Sequence, residues 1–270
     1  MPQKKYERLI IALSVPLALL LILVSSVGIL TPDFYSRETF NWATQCTAQD
    51  IADLFIISPL LIISSYLTYK ESKAGMLIWS GIIVFLIYTF SIYCFAVHFN
   101  SLFIFYCLVF GLSVYSFAIF LYCRLTAVKR IGFSSKAPVK ETGIFLIFLG
   151  VLFYFLWLSE IVPAVISRSF PKGLTETGLL TNPVHVIDIA VCLPGLIITG
   201  ILLLKKKHLA VMMATPLLVF CATMSVSILV LIIVMKMKGL DSDLTATAIM
   251  GTLTLISLLF LTKFIKSIES

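Results

Sequence analysis

Charge is scarce in this sequence. Asp, Glu, Lys and Arg make up 12% of the 270 residues, about half their share in an average globular domain. Histidine occurs three times. There is no Cys-x-x-Cys pair, no H-E-x-x-H, no G-x-S-x-G and no P-loop, so the local signatures of thiol-redox, zincin, α/β-hydrolase and nucleotide-triphosphate chemistry are missing. No Arg-rich voltage-sensor helix or soluble catalytic domain can be placed either. The six cysteines are scattered at Cys46, Cys94, Cys107, Cys123, Cys192 and Cys221. Most fall in apolar runs, where cysteine acts as a small buried hydrophobe. Cys46 and Cys94 leave room for one disulfide near an outer surface.

What fills the chain is hydrocarbon. Sixty per cent of the residues are hydrophobic, and runs of about 20 residues, enough to cross a bilayer, occupy most of the length. The predicted fold is an all-α membrane protein of eight transmembrane helices. The spans are Leu9–Leu30, Asp50–Tyr69, Gly75–Val97, Asn100–Cys123, Gly143–Ile166, Pro183–Leu204, Ala210–Met235 and Leu244–Thr262. Only His98, Phe99 and Asn100 part the third from the fourth, a tight helical hairpin. Lys4, Lys5 and Arg8 before an apolar run imitate a signal peptide. The run from Leu9 to Leu30 exceeds a typical h-region and lacks a small-residue cleavage site before Thr31, so it is expected as a retained span.

Lysine and arginine set the expected orientation. With the N-terminus inside, fifteen of the twenty fall in inner segments, leaving only Arg37, Arg168, Lys172, Lys236 and Lys238 outside. This supports an even number of spans, a cell-membrane location and both termini in the cytoplasm. The formal charge of +7 follows that topology. The expected partner is therefore the lipid bilayer and not nucleic acid. The division expected is an N-terminal half over 1–123, a basic cytoplasmic linker over 124–142 and a C-terminal half over 143–270. The linker reads as a topology determinant before it reads as an anionic-lipid site.

The halves echo one another. Gln49–Lys73 (QDIADLFIISPLLIISSYLTYKESK) aligns 135 residues upstream of a stretch within Asn182–His208 (NPVHVIDIAVCLPGLIITGILLLKKKH). Asp53 meets Asp188, Pro59 meets Pro194 and Lys70 meets Lys205. Four spans per half give both halves the same orientation, so the expectation is two parallel four-helix repeats related by a pseudo-twofold axis along the membrane normal.

Ionisable groups inside spans are costly and raise a functional hypothesis by default. Here they gather toward the predicted outer face. Asp50 reads as a helix N-cap with Asp53 on its first turn, and Asn182-Pro183 as an N-cap and first-turn pair. Asp188 lies five residues beyond Pro183, too deep for capping, with His185 three residues before it on the same face. Glu160 nears the negative end of its helix dipole, the wrong end for a carboxylate, with Arg168 as a candidate counter-charge. Candidate ligand-binding residues are thus Asp53, Glu160, His185, Asp188, His98 and Asn100. Pro59 and Pro194 are candidate hinges, since each removes a backbone donor and kinks its helix. The aromatic stretch Thr89–Tyr106 reads first as packing and interfacial anchoring, with an aromatic-lined pocket as the alternative.

DIADL with SPLL, HVIDIAVCLP and the hairpin HFNSLF resemble an uncharacterised family of prokaryotic eight-span integral membrane proteins. The resemblance implies the architecture and no chemistry. Ceramidase-type intramembrane hydrolases hold zinc with several histidines on different spans, and only His98 and His185 could converge here. Three readings of function follow. The first is a small-solute binding or transport protein that takes a small molecule or cation from the extracytoplasmic side. The second is a non-catalytic sensor or assembly scaffold. The third is a metal-dependent intramembrane enzyme using His185, Asp188, Glu160 and His98. Cofactor, metal and oligomeric state are not specified by the residues.

Overall fold

The computed structural model describes residues 3–126, 131–240 and 244–269, with side chains from residue 8 and, in the last helix, from residue 247. Lys129 and Arg130 of the predicted linker, and the side chains of Lys4 and Lys5, lie outside the described residues.

The chain forms helices throughout, with no strand among the described residues. Helix α1 is Gln3–Leu30, α2 Phe40–Tyr69, α3 Lys73–Ala96, α4 Phe103–Leu125 and α5 Val139–Ser167. A short α6, Lys172–Thr177, precedes α7 (Pro183–Leu204), α8 (His208–Met237) and α9 (Leu244–Lys266). Eight of them, all but α6, are long and apolar enough to cross a membrane. This is a multi-pass membrane protein. Apolar side chains face outward along most helices, as in Phe55, Ile63, Tyr115, Phe155 and Leu255, because hydrocarbon on the outside carries no penalty in lipid.

The second helix begins ten residues earlier than its apolar run. The Thr39 hydroxyl accepts the Trp42 N–H at 3.2 Å and caps it. Phe40–Gln49 mixes polar and apolar residues, which hid it from a hydropathy reading. Trp42, Thr44, Cys46 and Ala48, on more than one side of the helix, are nevertheless buried. The expectation that Asp50 caps this helix is therefore wrong. It lies eleven residues in, fully buried, about 15 Å from the start at 1.5 Å per residue.

Two helices carry a wide turn. In α2 the π-helical segment is Asp53–Ile57, closed by the Ser58 N–H on the Asp53 carbonyl. In α7 it is Asp188–Cys192, closed by the Leu193 N–H on the Asp188 carbonyl. Each begins at one of the aligned aspartates and ends two residues before the aligned proline, Pro59 or Pro194. A proline ring clashes with the carbonyl four residues back and leaves it without a donor. Widening the turn upstream relieves that clash and is a recognised source of helix bends. At the two prolines expected as hinges, the helix thus carries a π turn immediately upstream.

Helices α1, α2, α3 and α4 pack in sequence, as do α5, α7, α8 and α9. Helix α1 also packs on α4, a pair without a counterpart of like extent between α5 and α9. Between the halves, α3 lies on α8, α2 lies on α8 and α3 touches α7. At the α3–α8 crossing Gly81 is so close that an added Cβ would lie 2.6 Å from the Pro216 carbonyl oxygen.

The two ends of the bundle are tied by different loops. At one end the linker lies on the C-terminus, with the Ser134 N–H on the Ser267 carbonyl at 2.8 Å and Lys73 Nζ on the Glu269 carbonyl at 2.6 Å. At the other end Arg37 Nη1 donates to the Phe99 carbonyl at 2.9 Å. There Thr39 Oγ1 also donates to the carbonyls of Glu176 and Thr177, at 3.2 and 2.9 Å.

Candidate ligand cavity

A cavity of about 420 Å³ lies between the halves. Helices α2 and α3 wall it on one side and α5, α7, α8 and α9 on the other, while Gly173 and Thr177 of α6 and Asn182 bring it up to the loop end. Most of its lining is aromatic or aliphatic. Asp188 stands in that lining as a carboxylate, beside the amides of Gln45, Gln49 and Asn182.

The local sequence places Asp188. Asn182 Oδ1 accepts the Val184 and His185 N–H groups at 3.0 and 3.4 Å, and Pro183 fills the first helical position, as the Asn-Pro pair predicts. That starts α7 one turn above Asp188, at the mouth of the wide turn. The Trp157 indole Nε1–H donates to Asp188 Oδ2 at 2.8 Å. Tyr154, one turn earlier on α5, donates to the Ile189 carbonyl inside the wide turn at 2.8 Å. Helix α5 therefore satisfies both the carboxylate and the backbone that the π turn opens, as buried polar groups require.

Glu160 joins the same cluster. Its Oε2 is 3.9 Å from His185 Nε2, and its Oε1 accepts the Gly173 N–H at 3.2 Å. The His185 ring lies against the Trp157 indole, centroids 4.6 Å apart. Glu160, His185, Trp157 and Asp188 thus form one connected group spanning α5 and α7. No ion pair joins Glu160 to Arg168 among the described residues. Arg168 instead ends α5 in the left-handed conformation, φ 53°, with its side chain exposed.

Asp53 lies behind the cavity wall. Gln49, one turn away on α2 and part of the lining, donates Nε2–H to Asp53 Oδ1 at 2.9 Å. Asp53 Oδ2 is buried without a hydrogen-bond partner. Asp50 is enclosed separately. Tyr35 donates to its Oδ2 at 2.7 Å and Tyr93 to its Oδ1 at 2.9 Å. Burial, and then the Asp50 carboxylate, push the Tyr35 phenol well above its ordinary range, so it stays a donor. Gly28 of α1 makes room for this arrangement, since an added Cβ would collide with Asp50 Oδ2.

His98 and Asn100 lie in the loop end, outside the cavity lining. Glu38 accepts the His98 backbone N–H at 2.7 Å and meets its Nδ1 at 2.8 Å. Asn100 accepts the Leu102 N–H at 2.9 Å and donates to the His98 carbonyl, which fixes the turn into α4. Among the described residues no three His, Cys, Asp or Glu side chains stand together as a metal site. Cys46 and Cys94 are free thiols.

Trp157, Tyr88 and Gln49 were not singled out by the sequence. A helix-spacing search around each acid would find two of them, because Trp157 is three residues before Glu160 and Gln49 four before Asp53. Comparison with family models, curated proteins and solved structures finds no match to this chain.

Proposed function

We propose that the protein binds or transports a small solute in the cavity between its halves, entering from the extracytoplasmic side. The observation that carries this reading is Asp188. A carboxylate inside an apolar span is costly, yet this one faces a cavity in the usual size range for ligand sites. The reading includes a cell-membrane location with both termini in the cytoplasm, from the distribution of lysine and arginine. It also includes two parallel repeats, supported by the paired π turns at Asp53 and Asp188 and by the sequential helix packing within each half. Membership of the uncharacterised prokaryotic eight-span family that its motifs resemble is part of the same proposal. In this account His98 and Asn100 shape the outer loops, while Asp188 lines the site, Glu160 and His185 adjoin it through Trp157, and Asp53 is joined to it through Gln49.

A melting screen tests the reading. Anything that binds only the folded protein raises its melting temperature. Leu196 lines the cavity, so Leu196→Trp fills it. A library of small solutes should contain compounds that raise the melting temperature of the wild type and not of this variant. Compounds that stabilise both equally would place binding elsewhere and count against the cavity.

A further inference from the structure

We propose that the ligand is an organic cation with an apolar or aromatic body, an inference that rests on the cavity being a ligand site. The charges in the lining are one-sided. Asp188 contributes a carboxylate, and no lysine, arginine or histidine is among the described lining residues. An anionic solute would meet repulsion with nothing to offset it.

The walls narrow the choice further. Six aromatic rings line the space, those of Trp42, Tyr88, Tyr93, Phe153, Trp157 and Phe220. Ring faces attract cations, most strongly where water is excluded. Trp157 also holds the carboxylate itself, with its Nε1 2.8 Å from Asp188 Oδ2, so ring and charge are set in one place. The Tyr88 hydroxyl is buried and interacts with the same Asp188 carboxylate, so a second ring of the lining is set beside the acid.

Small inorganic cations fit poorly. Calcium takes six to eight oxygen ligands and magnesium keeps strict octahedral geometry. This lining is mostly hydrocarbon with one carboxylate. A neutral apolar ligand would leave unexplained the cost of keeping a carboxylate in the wall. A body of hydrocarbon carrying one positive charge answers both the lining and the acid.

The experiment compares two probes of nearly equal shape, benzyltrimethylammonium and neopentylbenzene, on purified protein in nanodiscs. Two of the three tryptophans, Trp42 and Trp157, line the cavity, so intrinsic fluorescence reads occupancy directly. The cation should bind saturably and at least ten-fold more tightly than the neutral probe. Asp188→Asn should remove that preference by weakening only the cation. Equal binding of both probes to the wild type, blocked by Leu196→Trp, would overturn the cation inference and leave the ligand-site reading standing. Binding of neither probe, or binding that Leu196→Trp leaves untouched, would overturn the inference and count against the site as well. The wild-type comparison decides the matter even if Asp188→Asn fails to fold.

Discussion

Gly81 rests against the Pro216 carbonyl at the crossing of α3 and α8, and the two residues stand 135 positions apart, the interval that also separates Asp53 from Asp188. In a two-fold arrangement, residues related by the axis meet one another only where they lie on it. This contact would then mark the axis of the proposed repeat. The close approach depends on glycine, since the Pro216 carbonyl and the Val219 Cβ both oppose the missing Cβ at 2.6 Å and neither is the end of a pliable side chain. Gly81→Val should therefore push the halves apart and cost about 1–3 kcal/mol, the usual range for overpacking. Gly111 has nothing within 4 Å of an added Cβ, so Gly111→Ala should not lower the melting temperature, and alanine's better helix propensity should raise it slightly.

Gly28 and Asp50 form a second close contact, with a sharper test. Gly28→Ala should destabilise the protein because its methyl group occupies the place of Asp50 Oδ2. Asp50→Ala alone should also destabilise, at about 1–3 kcal/mol, by removing the acceptor that the buried Tyr35 and Tyr93 hydroxyls share, although Tyr93 keeps the Cys46 carbonyl. Together the two changes should cost less than their sum, since removing the carboxylate makes room for the methyl group. Melting temperatures of the three variants check the cycle, and additive losses would contradict the contact.

How much of this was legible in the sequence depended on the kind of signal. Asp188, Glu160 and His185 stood out because ionisable groups within apolar runs are expensive, and the fold gathers those three. Asp50 was misread because its helix starts among polar residues, where a hydropathy window sees a loop and only the Thr39 cap reveals the helix. The π turns were not legible, since a proline announces a bend but not how the ladder absorbs it. Trp157 and Tyr88 were lost among aromatic residues whose commonest use in membrane spans is packing.

The Trp157 indole has a role that its ring alone does not fill. Trp157→Phe keeps most of the packing and removes the donor to Asp188 Oδ2. The expected loss is about 1.5–3 kcal/mol, the range for one hydrogen bond to a charged group. In an Asp188→Leu background the same change should cost far less, because the acceptor is gone. Equal losses in both backgrounds would mean that the indole acts only by packing.

Thr39 joins the halves at the loop end. Its hydroxyl caps α2 and donates to the Glu176 and Thr177 carbonyls at the C-terminal end of α6. Thr39→Val should cost about 0.5–2 kcal/mol through the lost cap. It should also speed proteolysis between Lys172 and Gly178 from the extracytoplasmic side of intact vesicles, because α6 loses that anchor. Unchanged cleavage with a lowered melting temperature would assign Thr39 to capping alone.

The most direct test of the account is whether water-soluble reagents reach the cavity, and from which side. Cys192 closes the wide turn of α7 and lines the cavity, so a variant keeping it as the sole cysteine reports on the site. A membrane-impermeant maleimide, applied to right-side-out and inside-out vesicles, should label Cys192 from the extracytoplasmic side and only slowly from the other. Adding Leu196→Trp should suppress that labelling. Labelling from neither side, or from the cytoplasmic side alone, would contradict a ligand site open to the outside.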